Sequence, residues 1–182
     1  MKYDVKAYQR EKRKHAAIFI GGAVLAVGML VLFLVAESHP KTPATCAQFR
    51  QLAAQYDIEV TDTVDIYNGD KTHLLGCELM HDNIVHLEFY EFDNKSSAAD
   101  VYNEGLTLIN QKRDRRYRSH SSGYANYMTY DARSEDTYYR VVRVENTVLY
   151  GTCPADTTGP LNTIISDLGY GDTLIPPETT SP

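Results

Sequence analysis

Three sets of side chains have the types and spacing for chemistry, and each also has a plainer structural reading. His73, Cys77 and His81 recur every fourth residue. Positions four apart share one face of a strand, so two imidazoles and a thiolate could converge on zinc. Yet Cys77 is in phase with Leu75 and Leu79, and His81 opens a turn, so the spacing favours a core thiol. Asp62, Asp65, Asn68 and Asp70 offer the oxygens calcium takes, but not at the Asp-x-Asp-x-Asp-Gly spacing of an EF-hand loop. They read as solvated turn residues. Cys153, in Gly-Thr-Cys-Pro, could be paired with His86 or His120 as a nucleophile and base. No Gly-x-Ser-x-Gly, Ser-x-x-Lys or phosphate-cradling glycine loop accompanies them. The expectation is a protein without catalytic residues, metal or cofactor.

The segment from Lys112 to Arg118 carries Lys112, Arg113, Arg115, Arg116 and Arg118, five positive charges in seven residues. Such a cluster could dock anionic head groups or a phosphate-rich polymer. It could equally offset the negative end of a helix macrodipole. Tyr117 and Tyr124 lie beside it, and tyrosine combines apolar area with a polar tip. Arg115, Arg116, Tyr117, Arg118 and Tyr124 are therefore the expected contact face. Tyr127, Tyr130, Tyr138 and Tyr139 could extend that face, but strand packing explains most of the tyrosines equally well.

What must hold these groups is set by one stretch. Ala16–Ala36 reads AAIFIGGAVLAVGMLVLFLVA, with no charged side chain. As a helix it would run roughly 31 Å, the thickness of a bilayer's hydrocarbon core. Arg10, Lys12, Arg13 and Lys14 precede it, and Glu37-Ser38-His39-Pro40 follows. Positive flanks stay on the cytoplasmic side. The expected order is a basic cytoplasmic tail over 1–15, a single membrane span over 16–36 and a juxtamembrane linker over 37–44. An extracytoplasmic domain over 45–170 and a disordered tail over 171–182 complete it. The apolar run exceeds the usual length of a cleaved signal's core, which favours a retained anchor.

The net charge of −6 hides an asymmetry, because residues 1–15 carry six Lys or Arg against Asp4 and Glu11. The remaining chain is strongly acidic, which argues against nucleic acid as a partner. The expected partners are the bilayer, through residues 16–36, and an envelope protein. Cys46, Cys77 and Cys153 all fall on the outer side, where thiols tend to pair. Three cannot all pair internally. One bridge with one remaining thiol and three buried thiols both stay open, and spacing does not choose the pairing.

Within the domain, Thr45-Cys46-Ala47-Gln48 is a capping box that opens a helix with Phe49, Leu52, Ala53 and Tyr56 on its apolar stripe. A short strand follows around Ile58 and Val60. Leu75, Cys77 and Leu79 then alternate before a three-residue turn at His81-Asp82-Asn83, with Val85, Leu87 and Phe89 returning on the same face. Asn83 is the expected left-handed turn residue. Ser97 is expected to cap a second helix with Ala98, Val101, Tyr102, Gly105, Leu108 and Ile109 on one face. Residues 112–123 read as a loop. A strand over 124–133 is followed by a hairpin around Glu145-Asn146. Thr157 or Thr158, Pro160 and Gly169 bracket a last helix.

Strand, turn, strand and helix therefore occur twice, at 74–109 and 137–168. The expected fold is α+β: an antiparallel sheet built from two ββα-like units, helices on one face, preceded by one transmembrane helix. The runs His86-Leu87-Glu88-Phe89-Tyr90-Glu91-Phe92-Asp93 and Tyr138–Tyr150 resemble small membrane-anchored or lipoprotein domains of Gram-positive bacteria. Those domains have no assigned function, and the likeness covers roughly 46–170. It implies a bacterial envelope location and an α+β ectodomain, and it carries over no catalytic residue. The expected function is a non-catalytic binding or interaction module of the cell envelope. An accessory subunit of a larger membrane complex is the alternative, and a thiol-dependent envelope enzyme the more distant one.

Overall fold

The computed structural model describes residues 40–112, 114, 116–123 and 126–171. The expected tail over 1–15, the span over 16–36 and the C-terminal tail from 172 onward lie outside the described residues, among which no helix is long and apolar enough to cross a membrane. Thr45 forms the expected capping box and opens α1 (Cys46–Gln55), which buries Phe49, Leu52 and Ala53. The helix ends at Asp57, whose φ of 58° turns the chain away. β1 (Val60–Asp62) and a short 3-10 turn (Val64–Ile66) lead to β2 (Leu74–His81) and β3 (His86–Phe92). The chain continues through α2 (Lys95–Gln111), β4 (Arg118–Gly123), β5 (Tyr127–Arg133), β6 (Thr137–Val144), β7 (Thr147–Pro154) and α3 (Gly159–Asp167).

The seven strands form one sheet in the order β1-β2-β3-β7-β6-β5-β4, with every neighbouring pair antiparallel. After β3, α2 carries the chain to the far edge, and β4 to β7 return strand by strand until β7 pairs with β3. The expected α+β class and antiparallel sheet are present. The helices do not share a face. Phe49, Leu87, Phe89, Val142, Leu149, Leu161 and Ile165 form one core under α1 and α3. Phe92, Ala98, Tyr102, Ile109, Tyr139, Val141 and Val148 form a second core under α2. Both ββα orders exist, but their helices fall on opposite sides. Tyr138–Val144, buried at every position but Arg143 in spite of its two arginines, is a strand covered on both faces.

The β2–β3 hairpin differs from the expected one by a residue. His81 pairs with His86, so the loop is Asp82–Val85, four residues long. The Asp82 carboxylate accepts from the amides of Ile84 and Val85, at 2.7 and 2.6 Å, and fixes that length. A loop of changed parity sends alternate side chains to opposite faces. Met80 therefore lies beside Leu87 on the α1 side, while Cys77 and Leu79 lie beside Tyr90 and Glu88 on the α2 side. Asn83 is not left-handed; Asp57 and Glu145 are the non-glycine residues with positive φ among those described.

Two further differences have local causes. Asn94, not Ser97, caps α2, with the Ser97 amide donating to Asn94 Oδ1 at 2.9 Å. Residues 118–123 form an edge strand rather than a loop, held by backbone pairing to β5. Its Ser- and His-bearing sequence buries no side chain, so it carries no apolar alternation to read. The hairpin at Glu145-Asn146 is where it was expected, and α3 starts with Pro160 in its first turn. Gly169, at φ 85°, reverses the chain after α3 and lets the Tyr170 amide reach the Ile165 carbonyl at 2.9 Å.

A charged cluster is sealed under α3. Arg140 and Asp131, both fully buried, lie 3.4 Å apart across β5 and β6. The Tyr138 hydroxyl donates to Asp131 at 3.0 Å, and Arg140 Nη1 donates to Asn162 Oδ1 of α3 at 3.1 Å. Opposite Arg140 stands Gly151, where a Cβ would come within 2.9 Å of Leu161 and 3.0 Å of Leu87. Removing one member of a buried ion pair leaves the other charge without compensation. Asp131→Ala should therefore lower unfolding free energy by about 3–5 kcal/mol in urea titration. A loss below about 1 kcal/mol, the range of exposed pairs, would show that this pair does not hold the sheet to α3.

Candidate functional site

On the α2 side the second core is incomplete, and a cavity of about 490 Å³ opens between the helix and the sheet. Its helical wall is one face of α2, because Val101, Glu104, Gly105, Leu108 and Lys112 are three or four residues apart. Gly105 allows the close approach of that face, and a Cβ there would sit 3.5 Å from Val141 and 3.7 Å from Tyr150. The floor is the junction of β3 and β7, where Glu88 pairs with Tyr150 and Tyr90 with Val148. Tyr67, from the segment after the 3-10 turn, closes one end with its ring 5.6 Å from that of Tyr90. Past this pair a recess of about 220 Å³ continues over Cys77 and Leu79.

Glu88 is the charged centre of the cavity. His86 Nε2 lies 2.7 Å from Glu88 Oε1, and the Tyr90 hydroxyl donates to Oε2. Strand geometry accounts for the set, because 86, 88 and 90 project on the same side of β3. Burial pushes the Glu88 pKa up, but the hydrogen bonds from His86 and Tyr90 outweigh it and hold the group below 4.5. Burial, and then the Glu88 charge, drive the Tyr90 phenol far above its ordinary range. Burial, with smaller contributions from Glu88 and Tyr139, pushes Tyr150 up to about 12. Tyr67 is raised by burial and then by the Glu104 charge. Lys112 Nζ lies 5.5 Å from the centre of the Tyr139 ring. At neutral pH the cavity thus presents an ionised carboxylate among protonated phenols.

Of the residues singled out by sequence, His86 and Lys112 line the cavity and Cys77 its recess, whereas Arg116, Tyr117 and Arg118 of the expected contact face do not. Arg116 is exposed, with Nη1 3.3 Å from Glu135 Oε1. Arg118 is exposed at the start of β4, opposite Arg133. Tyr117 is half-buried, its hydroxyl 2.6 Å from that of Tyr130 and donating to Asn110 Oδ1 at 3.3 Å, so it braces α2 against β5. Arg113, Arg115 and Tyr124 lie outside the described residues. Tyr127, Tyr130, Tyr138 and Tyr139 are buried, as strand packing requires.

His73, Cys77 and His81 do not converge. His73 Nδ1 is 2.9 Å from Asp93, Cys77 is buried beside Thr63, and the His81 ring packs against His86. Asp62 and Asp70 cap their own turns, at Val64 and Thr72. Among the described residues no group of three His, Cys, Asp or Glu side chains could hold a metal. The three cysteines are free thiols. Burial pushes Cys46 and Cys153 up to about 12 and Cys77 up to about 11; Glu91 and Glu78 add to the effect at Cys46. Such thiols supply little thiolate at neutral pH. Cys153 lies on the α3 side of the sheet and His86 on the α2 side, so they do not form a pair.

The lowered pKa of Glu88 makes a pH prediction. A carboxyl with a depressed folded pKa adds stability above its unfolded value, and that stability is lost as pH falls through the folded value. Between pH 6 and pH 3 the wild-type thermal midpoint should fall further than that of Glu88→Gln. Parallel curves for the two proteins would mean that Glu88 is not held ionised by His86 and Tyr90.

Comparison with known proteins adds little. No family model matches the chain, and no curated protein matches it. A crystal structure of a GTP-binding regulator from Thermotoga maritima is similar with a TM-score of 0.44 and 9% identity, over 72% of this chain and 90% of that one. A likeness of that size carries no argument about this chain.

Proposed function

We propose that this protein is a membrane-anchored binding module of the cell envelope, with the α2-side cavity as its ligand site. The apolar stretch over 16–36 supports the anchor, and the basic residues before it support an extracytoplasmic domain. One observation carries the binding role: a cavity of about 490 Å³ with tyrosines in its walls and an ionised carboxylate fixed by two donors. Its size and its mixture of apolar walls with few polar groups match sites for small molecules. Nothing around Glu88 supplies an activated nucleophile, and the raised thiols weigh against the thiol-enzyme alternative.

The test places a photo-cross-linking side chain at Leu108, which is 54% exposed on the rim of the cavity, in the full-length protein on intact cells. Gly105→Leu serves as the blocked control, since it adds a side chain toward the cavity at a position where leucine suits a helix. The Leu108 adduct should form in the parent and drop at least about tenfold in the blocked protein, both with native circular dichroism; the factor corresponds to roughly 1.4 kcal/mol. Equal adduct in both would remove the cavity from the binding site.

A further inference from the structure

The charge and aromatic content of the cavity deepen the reading above, on which this inference rests. Glu88 and Glu104 both line the cavity, and Glu88 keeps its charge. Of the two basic groups lining it among the described residues, His86 is bonded to Glu88, and Lys112 lies over the Tyr139 ring. The cavity also meets the C-terminal half of α2, where the helix dipole presents its negative end. Each carboxylate oxygen of Glu88 uses one acceptor position on its protein donor and can accept again. Tyr67, Tyr90 and Tyr150 add aromatic rings, whose faces attract cations. An anion would meet a fixed negative charge there, and among the described residues no helix N-terminus lines the cavity.

We propose that the α2-side cavity binds an organic cation, an amine or quaternary ammonium on an apolar body, with its head group between Glu88 and Glu104 and its body against Val141 and Val148. The strands hold the carboxylate in place before the ligand arrives, so binding requires little rearrangement. Specificity comes from the head group, because the apolar floor accepts any body of suitable size.

Three probes that share one body separate the contributions: phenethylamine, 2-phenylethanol and phenylacetate, titrated calorimetrically into the purified full-length protein. Phenethylamine should bind at least about tenfold more tightly than the other two, as expected for a hydrogen bond to a charged partner. Glu88→Gln should remove most of that advantage and leave 2-phenylethanol unchanged. Glu104→Gln, at an exposed helix position, gives a second reading if E88Q fails to fold and should weaken phenethylamine alone. Phenylacetate or 2-phenylethanol binding as tightly as the amine, with all probes lost in Gly105→Leu, would overturn the cation assignment and leave the cavity as the site. Amine binding that persists in Gly105→Leu would overturn its placement in the cavity. No binding by any probe would also overturn the cation assignment, while the Leu108 adduct on cells still decides the binding role itself.

Discussion

The pairing of β3 with β7 is the constraint on which the rest of the structure depends. It joins segments about sixty residues apart, from His86 with Thr152 to Glu91 with Thr147. Asn146 extends the junction, accepting from the Phe92 amide at 3.0 Å and donating its side chain to the Phe92 carbonyl at 2.5 Å. Because this junction lies in the middle of seven strands, both of its faces must be removed from water. α1 and α3 cover one face, and α2 covers the other on its way to the far edge. One helix does not fill the area that two fill opposite. The cavity lies where that single helix passes over the junction, with the half-buried Glu88 and Tyr150 in its floor.

Three charged arrangements are built into the sheet, and their access to ligand separates their roles. Arg140 and Asp131 are sealed between β5, β6 and α3, and their partners are all protein groups. Glu78 is nearly fully buried against Arg50 of α1. Each couples a helix to the α1-side face. Glu88 lies on the other face, bonded to His86 and Tyr90 of its own strand, and lines both the cavity and the recess described above. The same residue type thus serves packing on one face and remains available on the other.

The parts of the fold legible in the sequence are those fixed by neighbouring residues. The Thr45 box, the Glu145-Asn146 hairpin and the Pro160-to-Gly169 helix each need only a few residues to specify them. Sheet-level decisions were not legible. Leu75, Cys77 and Leu79 look like a core face by alternation, yet Leu75 is exposed at a register shift between Leu74 and Gly76, and Cys77 lies by the recess because a four-residue loop set the register. β4 is polar throughout, and only its pairing to β5 makes it a strand. The site followed the same division. The polar residues His86, Glu88 and Tyr90, alternating with Leu87 and Phe89, were a visible signal of a functional face. Their partners Glu104, Gly105 and Tyr150 come from distant segments, and no local pattern links them. The dense basic run at 112–118 drew attention by composition, whereas the cavity depends on one carboxylate and its surroundings.

The protonation chemistry of the site bears on what it can do. A general base works best when its pKa lies near the working pH, and a general acid likewise. Glu88 is shifted the other way, below 4.5, so it is a weak base at neutrality. The phenols of Tyr90 and Tyr150 are shifted upward and are correspondingly weak acids. The arrangement fixes where charge resides and resists moving it. Catalysis of proton transfer would require the opposite shifts, with the carboxyl buried away from donors and a phenol stabilised as its anion. Donors on Glu88 and burial around the tyrosines instead suit the organic cation proposed for the cavity.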